Sequence, residues 1–142
     1  MSNIWVDDRY CFACGEKNPI GMKLQFVLKN DFIETSFVFP KEFQGYKDTV
    51  HGGMISLLLD EVMVNLPWKK YQVPVVSAEI NVKLKKPLKI GEKVLARAWI
   101  EKERRKIFYV KGIVIKEETS EICVFEAFGI TCIFKIIPFF VS

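Results

Sequence analysis

Alternating apolar and polar positions run through much of the chain and predict β-strands, because successive side chains of a strand point to opposite faces. Two strands are predicted early, at 22–29 and 32–39, joined by the short turn Asn30-Asp31. Four longer stretches follow in the second half, at about 75–86, 93–103, 106–117 and 122–136. Polar turns, or turns that contain proline and glycine, separate these stretches, so we expect consecutive antiparallel strands.

One stretch between the two groups of strands predicts a helix. Residues 53–66 are mostly good helix formers, and their apolar side chains go nearly all the way round the helix. This distribution is typical of a helix that is buried on most sides. Pro67 disfavours helical backbone at the residue before it, so we expect the helix to end at Leu66. Two strands, one long helix and four strands together predict an α+β fold in which the sheet wraps the helix.

The composition narrows the class of protein. Half of the 142 residues are hydrophobic, which favours one globular domain. We expect an irregular lead-in at 1–21 and an apolar tail at 136–142 that packs on the sheet or on a partner subunit. There is no apolar run long enough to span a bilayer and no signal peptide, so we expect a cytoplasmic protein without a membrane partner. The net charge of +4 suits an anionic small molecule but, without a basic tail or motif, does not indicate a nucleic-acid partner.

The predicted helix carries groups that packing does not require. It opens with His51, the only histidine, followed by Gly52 and Gly53, and it contains the adjacent acids Asp60 and Glu61. The first backbone N–H groups of a helix are unpaired and favour negative charge, and glycine lets a substrate oxygen come close. The simpler interpretation is that one acid reaches the rim of the core and the other is hydrogen-bonded inside it.

The spacing of these groups limits how they could act together. Gly52 and Asp60 are eight residues apart, which is roughly 12 Å along one helix, so one reacting group cannot touch both. If they cooperate, two copies of the helix must meet antiparallel across a two-fold axis. A catalytic site built on this helix would therefore be shared between two subunits.

The spacing of the four cysteines is only weak evidence for a metal site. Cys11 and Cys14 form a Cys-x-x-Cys-Gly motif, but a zinc ribbon needs a second pair at similar spacing, and Cys123 and Cys132 are nine residues apart in a predicted strand. A redox motif would need a thioredoxin-like strand–helix context, which is missing. His51 has no second histidine at ligand spacing. We therefore expect a structural turn at the first two cysteines and no metal centre.

The element order, with His51-Gly52-Gly53 and Leu58-Leu59-Asp60-Glu61 on the helix, resembles hotdog-fold acyl-CoA thioesterases of the PaaI-like type. The segments 11–21, 43–46 and 77–87 support the resemblance. It implies a hotdog fold, a curved antiparallel sheet wrapped around one long central helix. It also implies hydrolysis of an acyl-CoA to a carboxylic acid and CoA without a cofactor, by a homodimer or by a homotetramer built as a dimer of dimers.

The resemblance also implies roles for individual residues. Asp60 would be the general base that activates water, or the nucleophile that attacks the thioester carbonyl. The N–H of Gly52 would polarise that carbonyl from the opposite subunit, His51 would shape the turn beside the thioester, and Ser77 would contact the acid or the water. Candidate substrate-binding residues are Gly53, Gln44, Glu61, Lys83, Lys85, Lys86, Arg104, Arg105 and Lys106, the basic ones for the phosphates of coenzyme A, and Met54, Leu58 and Met63 for an acyl tunnel.

Other interpretations stay open at this point. Glu61 could instead form a structural hydrogen bond or a contact at a dimer interface. The whole chain could be a hotdog module that binds acyl-CoA without hydrolysing it. A hotdog dehydratase or hydratase is a further alternative, although those enzymes place their acid and histidine differently.

Overall fold

The structure is a computed structural model that describes residues 6–105, 107–119 and 121–133. The predictions that concern the first five residues, Lys106, the end of the last strand and the tail at 136–142 lie outside the described residues. The described elements are β1 (Val27–Leu28), β2 (Ile33–Val38), a short 3-10 helix (Lys41–Phe43), α1 (Gly52–Tyr71), β3 (Val75–Leu84), β4 (Lys93–Arg104), β5 (Ile107–Lys116) and β6 (Glu121–Ile133).

The strands form one antiparallel sheet of six strands in the order β1-β2-β4-β5-β6-β3. Helix α1 packs against β2 to β6, so the sheet surrounds the helix on several sides. The predicted α+β arrangement is confirmed. No helix in the described part of the chain is long and apolar enough to cross a membrane.

Helix α1 is buried on most sides, as its apolar residues predict. Leu59 and Met63 are completely or almost completely buried beneath the sheet. Both lie over Gly112 of β5, where an added Cβ would stand 3.1–3.3 Å from their side-chain atoms. The absence of a side chain at this position lets the helix approach the sheet closely.

The helix does not end at Leu66, and that prediction is wrong. It continues to Tyr71 with Pro67 inside it. Proline removes one backbone hydrogen bond from a helix, but its fixed φ is helical, so the chain can continue where other contacts compensate. Here Pro67 is buried, the Tyr71 ring stacks on Phe108 with centroids 5.2 Å apart, and the Tyr71 hydroxyl donates a hydrogen bond to Glu103 of β4.

The first strand is much shorter than the predicted 22–29, because only Val27–Leu28 pairs with β2. The backbone N–H groups of Met22 and Leu24 instead donate to the carbonyl oxygens of residues 12 and 13, at 2.8 and 2.9 Å. Lys23, between them, has a φ of +55°. The apolar alternation at 22–24 therefore belongs to a segment that pairs with the lead-in and not with a strand. This pairing holds the lead-in against the core.

The other described strand ends differ from the predictions by only a few residues. Strand β3 forms one edge of the sheet and leaves Ile80 and Leu84 partly exposed, at 38% and 52%. Its pairing with β6 is shifted between Ser77 and Glu79, so a bulge lies at the beginning of the strand. Edge strands with exposed apolar side chains are places where another chain can pair.

Candidate active site

The amino end of α1 is closed by His51. Its ring Nδ1 accepts a hydrogen bond from the N–H of Gly53 at 2.9 Å, so the histidine acts as the N-cap of the helix. The N–H of Gly52, the first helical residue, has no acceptor among the described residues. This end of α1 therefore presents a hydrogen-bond donor that an external oxygen atom could use.

The loop before the helix holds His51 in place. The backbone N–H of His51 donates to the carbonyl of Phe43 at 2.9 Å, and Gly45 lies against the histidine ring. The side-chain oxygen of Gln44 accepts a hydrogen bond from the backbone N–H of Asp48 at 3.1 Å. Gln44, a predicted substrate-binding residue, thus uses its amide oxygen to shape this loop.

A cavity of about 230 Å³ opens beside Gly52. Lys85 and Lys86, two of the predicted phosphate-binding residues, lie in its wall. Lys83, which lies close to these lysines near the end of β3, is exposed. The cavity is lined by Val50, Gly52, Ile55, Leu84, Lys85, Lys86, Pro87 and Leu88.

Asp60 lies in the middle of α1 and is half-buried. The hydroxyl of Ser77 donates a hydrogen bond to its Oδ1 at 2.5 Å. This contact joins the helix to the beginning of β3 and orients the carboxylate. An oriented carboxylate can accept a proton from water or attack a carbonyl carbon.

Glu61 faces different surroundings from Asp60, since neighbouring residues of a helix point about 100° apart. Its Oε1 accepts a hydrogen bond from Asn65 Nδ2 at 3.0 Å and lies 3.8 Å from the Sγ of Cys11. Burial, followed by a hydrogen bond to Glu61 and the charge of that residue, raises the pKa of the Cys14 thiol well above its usual range.

The expected turn at the two cysteines is present, closed by the Gly15 N–H and the Cys11 carbonyl at 2.8 Å. Sequence reasoning missed that Glu61 lies against this turn. The two parts are 50 residues apart, and no spacing motif connects them.

One protomer does not bring all the predicted site residues together. Gly52 and Asp60 belong to the same helix and are separated by roughly 12 Å along it. Arg104 is the last residue of β4 and Arg105 lies in the turn that follows it, at the carboxyl end of the helix. Because α1 has 20 residues and is therefore about 30 Å long, the arginines and the cavity beside Lys85 lie at opposite ends.

The residues predicted to line an acyl tunnel lie in the core or at its edge. Leu58 and Met63 are buried in the core at 0% and 1% exposure, while Met54 is half-buried. None of the three lines the cavity beside Gly52, and the acyl tunnel stays a prediction. A cavity of about 560 Å³ below the β1–β2 turn also lies away from the candidate catalytic residues.

Comparison with known proteins supports the fold. A family model described as the thioesterase superfamily matches residues 47–123, which include α1 and β3 to β5. A search of curated protein sequences finds no significant match.

Several solved structures have a similar fold. Zebrafish thioesterase superfamily member 2 superposes with a TM-score of 0.70 at 18% identity, covering 82% of this chain and 88% of the other. A phenylacetic acid degradation-related protein from Ralstonia eutropha gives a TM-score of 0.68 at 18% identity, covering 79% and 86%. Another thioesterase superfamily protein gives 0.76 at 17% identity over 87% of this chain, which spans only 60% of that protein.

Proposed function

Because the chain belongs to the thioesterase superfamily and has its hotdog fold, we propose that it is an acyl-CoA thioesterase of the PaaI-like type. It would hydrolyse an acyl-CoA to a free carboxylic acid and CoA. The contact that carries this proposal is the hydrogen bond from Ser77 to Asp60, which holds a carboxylate in the middle of a helix whose first N–H group has no acceptor among the described residues.

Asp60 supplies the reactive carboxylate in this proposal. As a general base it takes a proton from water while the oxygen of that water adds to the thioester carbonyl. The carbon–sulfur bond then breaks, and the CoA thiolate leaves and is protonated. As a nucleophile, Asp60 would itself displace the thiolate, and water would hydrolyse the resulting anhydride. Ser77 orients the carboxylate in either route.

The N–H of Gly52 polarises the thioester carbonyl in this mechanism. A donor aimed at the oxygen that becomes negative stabilises the transition state, and removal of one such donor typically costs about 10² to 10³ in rate. Since Gly52 and Asp60 are roughly 12 Å apart on one helix, each site would take Gly52 from one subunit and Asp60 from the other. The edge position of β3, with Ile80 and Leu84 partly exposed, favours a homodimer, or a dimer of dimers, formed through this side.

Basic side chains would hold the phosphates of coenzyme A. Lys85 and Lys86 line the cavity beside Gly52, so they are positioned for a CoA whose thioester reaches that N–H group. Lys83, Arg104 and Arg105 are exposed and could contribute from the same or the opposite subunit. No cofactor takes part in this mechanism.

The test is release of free thiol from short, medium, long and aryl acyl-CoAs. We expect turnover by the natural protein and a loss of about 10² to 10⁴ in kcat for Asp60→Asn, because the amide can neither accept the proton nor attack the carbonyl. Asp31→Asn, at an exposed turn, is the matched control and should keep full activity. A single turnover in ¹⁸O-water that places ¹⁸O in the Asp60 carboxylate would identify the nucleophile route, in which water attacks the Asp60 carbonyl of the anhydride.

Light scattering on the same samples should show a dimer or a larger assembly. Binding of acyl-CoA without thiol release across the whole panel would favour the non-catalytic binding module. Turnover that survives in Asp60→Asn would show that this carboxylate is not the catalytic group.

A further inference from the structure

Three side chains that can bind a metal ion converge at the lead-in of the chain. The Sγ atoms of Cys11 and Cys14 and a carboxylate oxygen of Glu61 all lie within 4.8 Å of one another. Cys11 is exposed, whereas the other two side chains are half-buried. Two of the three residues come from the lead-in and one from helix α1, so the cluster exists only in the folded chain.

The turn that carries the two thiols has a fixed geometry. Gly15 is buried, and a Cβ added there would lie 2.4 Å from the backbone nitrogen of Cys11 and 2.6 Å from the carbonyl oxygen of Arg9. Only glycine fits, because these neighbouring atoms belong to the backbone and cannot move aside. The Gly15 N–H closes the turn by donating to the Cys11 carbonyl at 2.8 Å. Both cysteine side chains are thereby presented towards Glu61.

Glu61 is oriented in the same way as many metal-binding carboxylates. Asn65, one turn further along α1, donates hydrogen bonds from Nδ2 to the Glu61 carboxylate at 3.0 Å and to its backbone carbonyl at 2.9 Å. Such outer contacts fix the direction of a ligand. Within the described residues, no lysine or arginine forms a salt bridge with Glu61. A half-buried acid beside two thiols, without a basic partner, is a favourable place for a cation.

We propose that Cys11, Cys14 and Glu61 bind a zinc ion. Two sulfur ligands and one carboxylate oxygen suit a tetrahedral zinc site. At bond lengths of about 2.3 Å to sulfur and about 2.0–2.2 Å to oxygen, two tetrahedral ligands stand roughly 3.5–3.8 Å apart. The Cys11 Sγ and the Glu61 Oε1 are 3.8 Å apart, so these two atoms need almost no movement to bind one ion. Binding releases the two thiol protons to solvent.

Cys11, Cys14 and Glu61 all line one cavity of about 510 Å³ between the lead-in, α1 and the beginning of β3, which leaves room for a fourth ligand. A water molecule can be this ligand, as it is in zinc sites with three protein ligands. The nearby acids Asp7 and Asp8 accept hydrogen bonds from the backbone N–H groups of Arg9 and Tyr10, at 2.8 and 3.0 Å. Their carboxylates shape the lead-in, and the metal is held by the three residues above.

A disulfide between Cys11 and Cys14 is the competing state of the same side chains. It would need an oxidant and would leave Glu61 beside a neutral disulfide. The zinc site uses all three groups and is an alternative to the expectation, drawn from the missing second cysteine pair, that the lead-in holds no metal. It is independent of the proposed thioesterase activity.

The test measures metal binding rather than activity. The full chain, purified reduced and freed of metal by a chelator, is dialysed against buffered zinc and its metal content is measured. We expect one zinc per chain, and with cobalt instead of zinc we expect a thiolate-to-cobalt charge-transfer band and the strong visible bands of a tetrahedral ion. The cobalt spectrum of the natural protein needs no variant, so it does not depend on whether a substituted chain folds.

Variants then identify the ligands. Cys11→Ser and Cys14→Ser should each lower zinc affinity by more than about 100-fold, and Glu61→Gln by at least about tenfold, because the amide is a weaker ligand. Glu16→Gln is the matched control, since Glu16 is exposed and pairs with Arg9 at 2.9 Å, and it should bind zinc normally.

The proposal is overturned if the reduced natural protein takes up no zinc, if it is isolated with a Cys11–Cys14 disulfide that persists in the presence of thiol reductants, or if Glu61→Gln binds zinc as tightly as the natural chain. The test does not measure thioesterase activity. Failure of the zinc proposal is therefore distinguishable from failure of the proposed function.

Discussion

The Ser77 hydroxyl donates a hydrogen bond to Oδ1 of Asp60 and thereby joins the beginning of β3 to the middle of α1. The two residues are 17 positions apart in the chain and belong to different elements. The bulge that follows Ser77 in β3 interrupts the regular pairing of the strand at this point. The carboxylate is therefore oriented by a contact that depends on the packing of helix against sheet.

Replacement of Ser77 by alanine should lower kcat about tenfold, which corresponds to about 1.4 kcal/mol, close to the lower end of the usual range for a hydrogen bond to a charged group. KM should change little, because the hydroxyl orients the catalytic acid and does not hold the acyl-CoA. Steady-state kinetics of thiol release measure both. Ser77→Thr, which keeps the hydroxyl, should recover most of the activity, and Ser36→Ala, at an exposed position of β2, is the control. Equal activity of Ser77→Ala and the natural chain would show that the contact is only structural.

Gly52→Pro tests the proposed carbonyl-polarising N–H directly. Proline is tolerated at the first position of a helix, and the extended backbone of His51 is compatible with a following proline. The substitution removes the N–H group, so we expect kcat to fall by about 10² to 10³ with the helix intact by circular dichroism.

Gly52→Ala is the matched variant, because it keeps the N–H group. Its added Cβ would approach the Cδ1 of Leu84 to 2.7 Å, a contact that a rotation at the end of the leucine side chain relieves. Alanine should therefore retain most of the activity. Similar rates for the proline and alanine variants would argue against a role for this N–H group.

His51→Ala should destabilise the fold by about 1 kcal/mol, because the helix loses the cap that accepts the Gly53 N–H. Urea unfolding followed by circular dichroism measures the change. His51→Asn should be close to the natural stability, since asparagine is among the best N-cap residues. A histidine whose only role is a surface contact would give the same stability for both variants.

Tyr71→Phe should lower the free energy of unfolding by about 0.5–1 kcal/mol at pH 7, because the ring still stacks on Phe108 but the hydrogen bond to Glu103 is lost. That hydrogen bond is the main cause that raises the pKa of Tyr71 above its ordinary value of 10.0. A raised folded pKa means that the stabilisation is complete below pH 10 and is lost as the pH rises through the folded value. The difference between the two proteins should therefore shrink in unfolding experiments above pH 10, and a constant difference would contradict this account.

The fold was largely predictable from the sequence because its periodicities are strong. Alternation predicts strands at 75–86 and 93–103, and the apolar surface of 53–66 predicts a buried helix. The order of these elements along the chain then predicts a sheet that surrounds a helix. The predicted end of the helix was wrong because a local preference, the effect of Pro67 on Leu66, was overridden by tertiary contacts.

The contacts of the candidate site were less predictable. The resemblance implied that Ser77 contacts the acid or the water, and the structure places its hydroxyl in contact with Asp60. The position of Glu61 beside Cys11 had no signal in the sequence, since the two residues are 50 positions apart and share no motif. The alternation at 22–29 was also ambiguous. Backbone pairing of this segment with β2 and backbone pairing with the lead-in bury the same side chains, so the sequence did not show which one forms.

Asp60 and Glu61 are successive residues, yet one contacts β3 and the other contacts the lead-in. One residue inserted into the helix between His51 and Asp60 would rotate these acids by about 100° relative to the capped end and move them by about 1.5 Å. The cap, the Ser77 contact and the cysteine contact could not all survive that change. Insertions and deletions that accumulate in natural variants of this chain should therefore fall in the connections at 72–74 and 85–92, while the length from 51 to 61 stays constant.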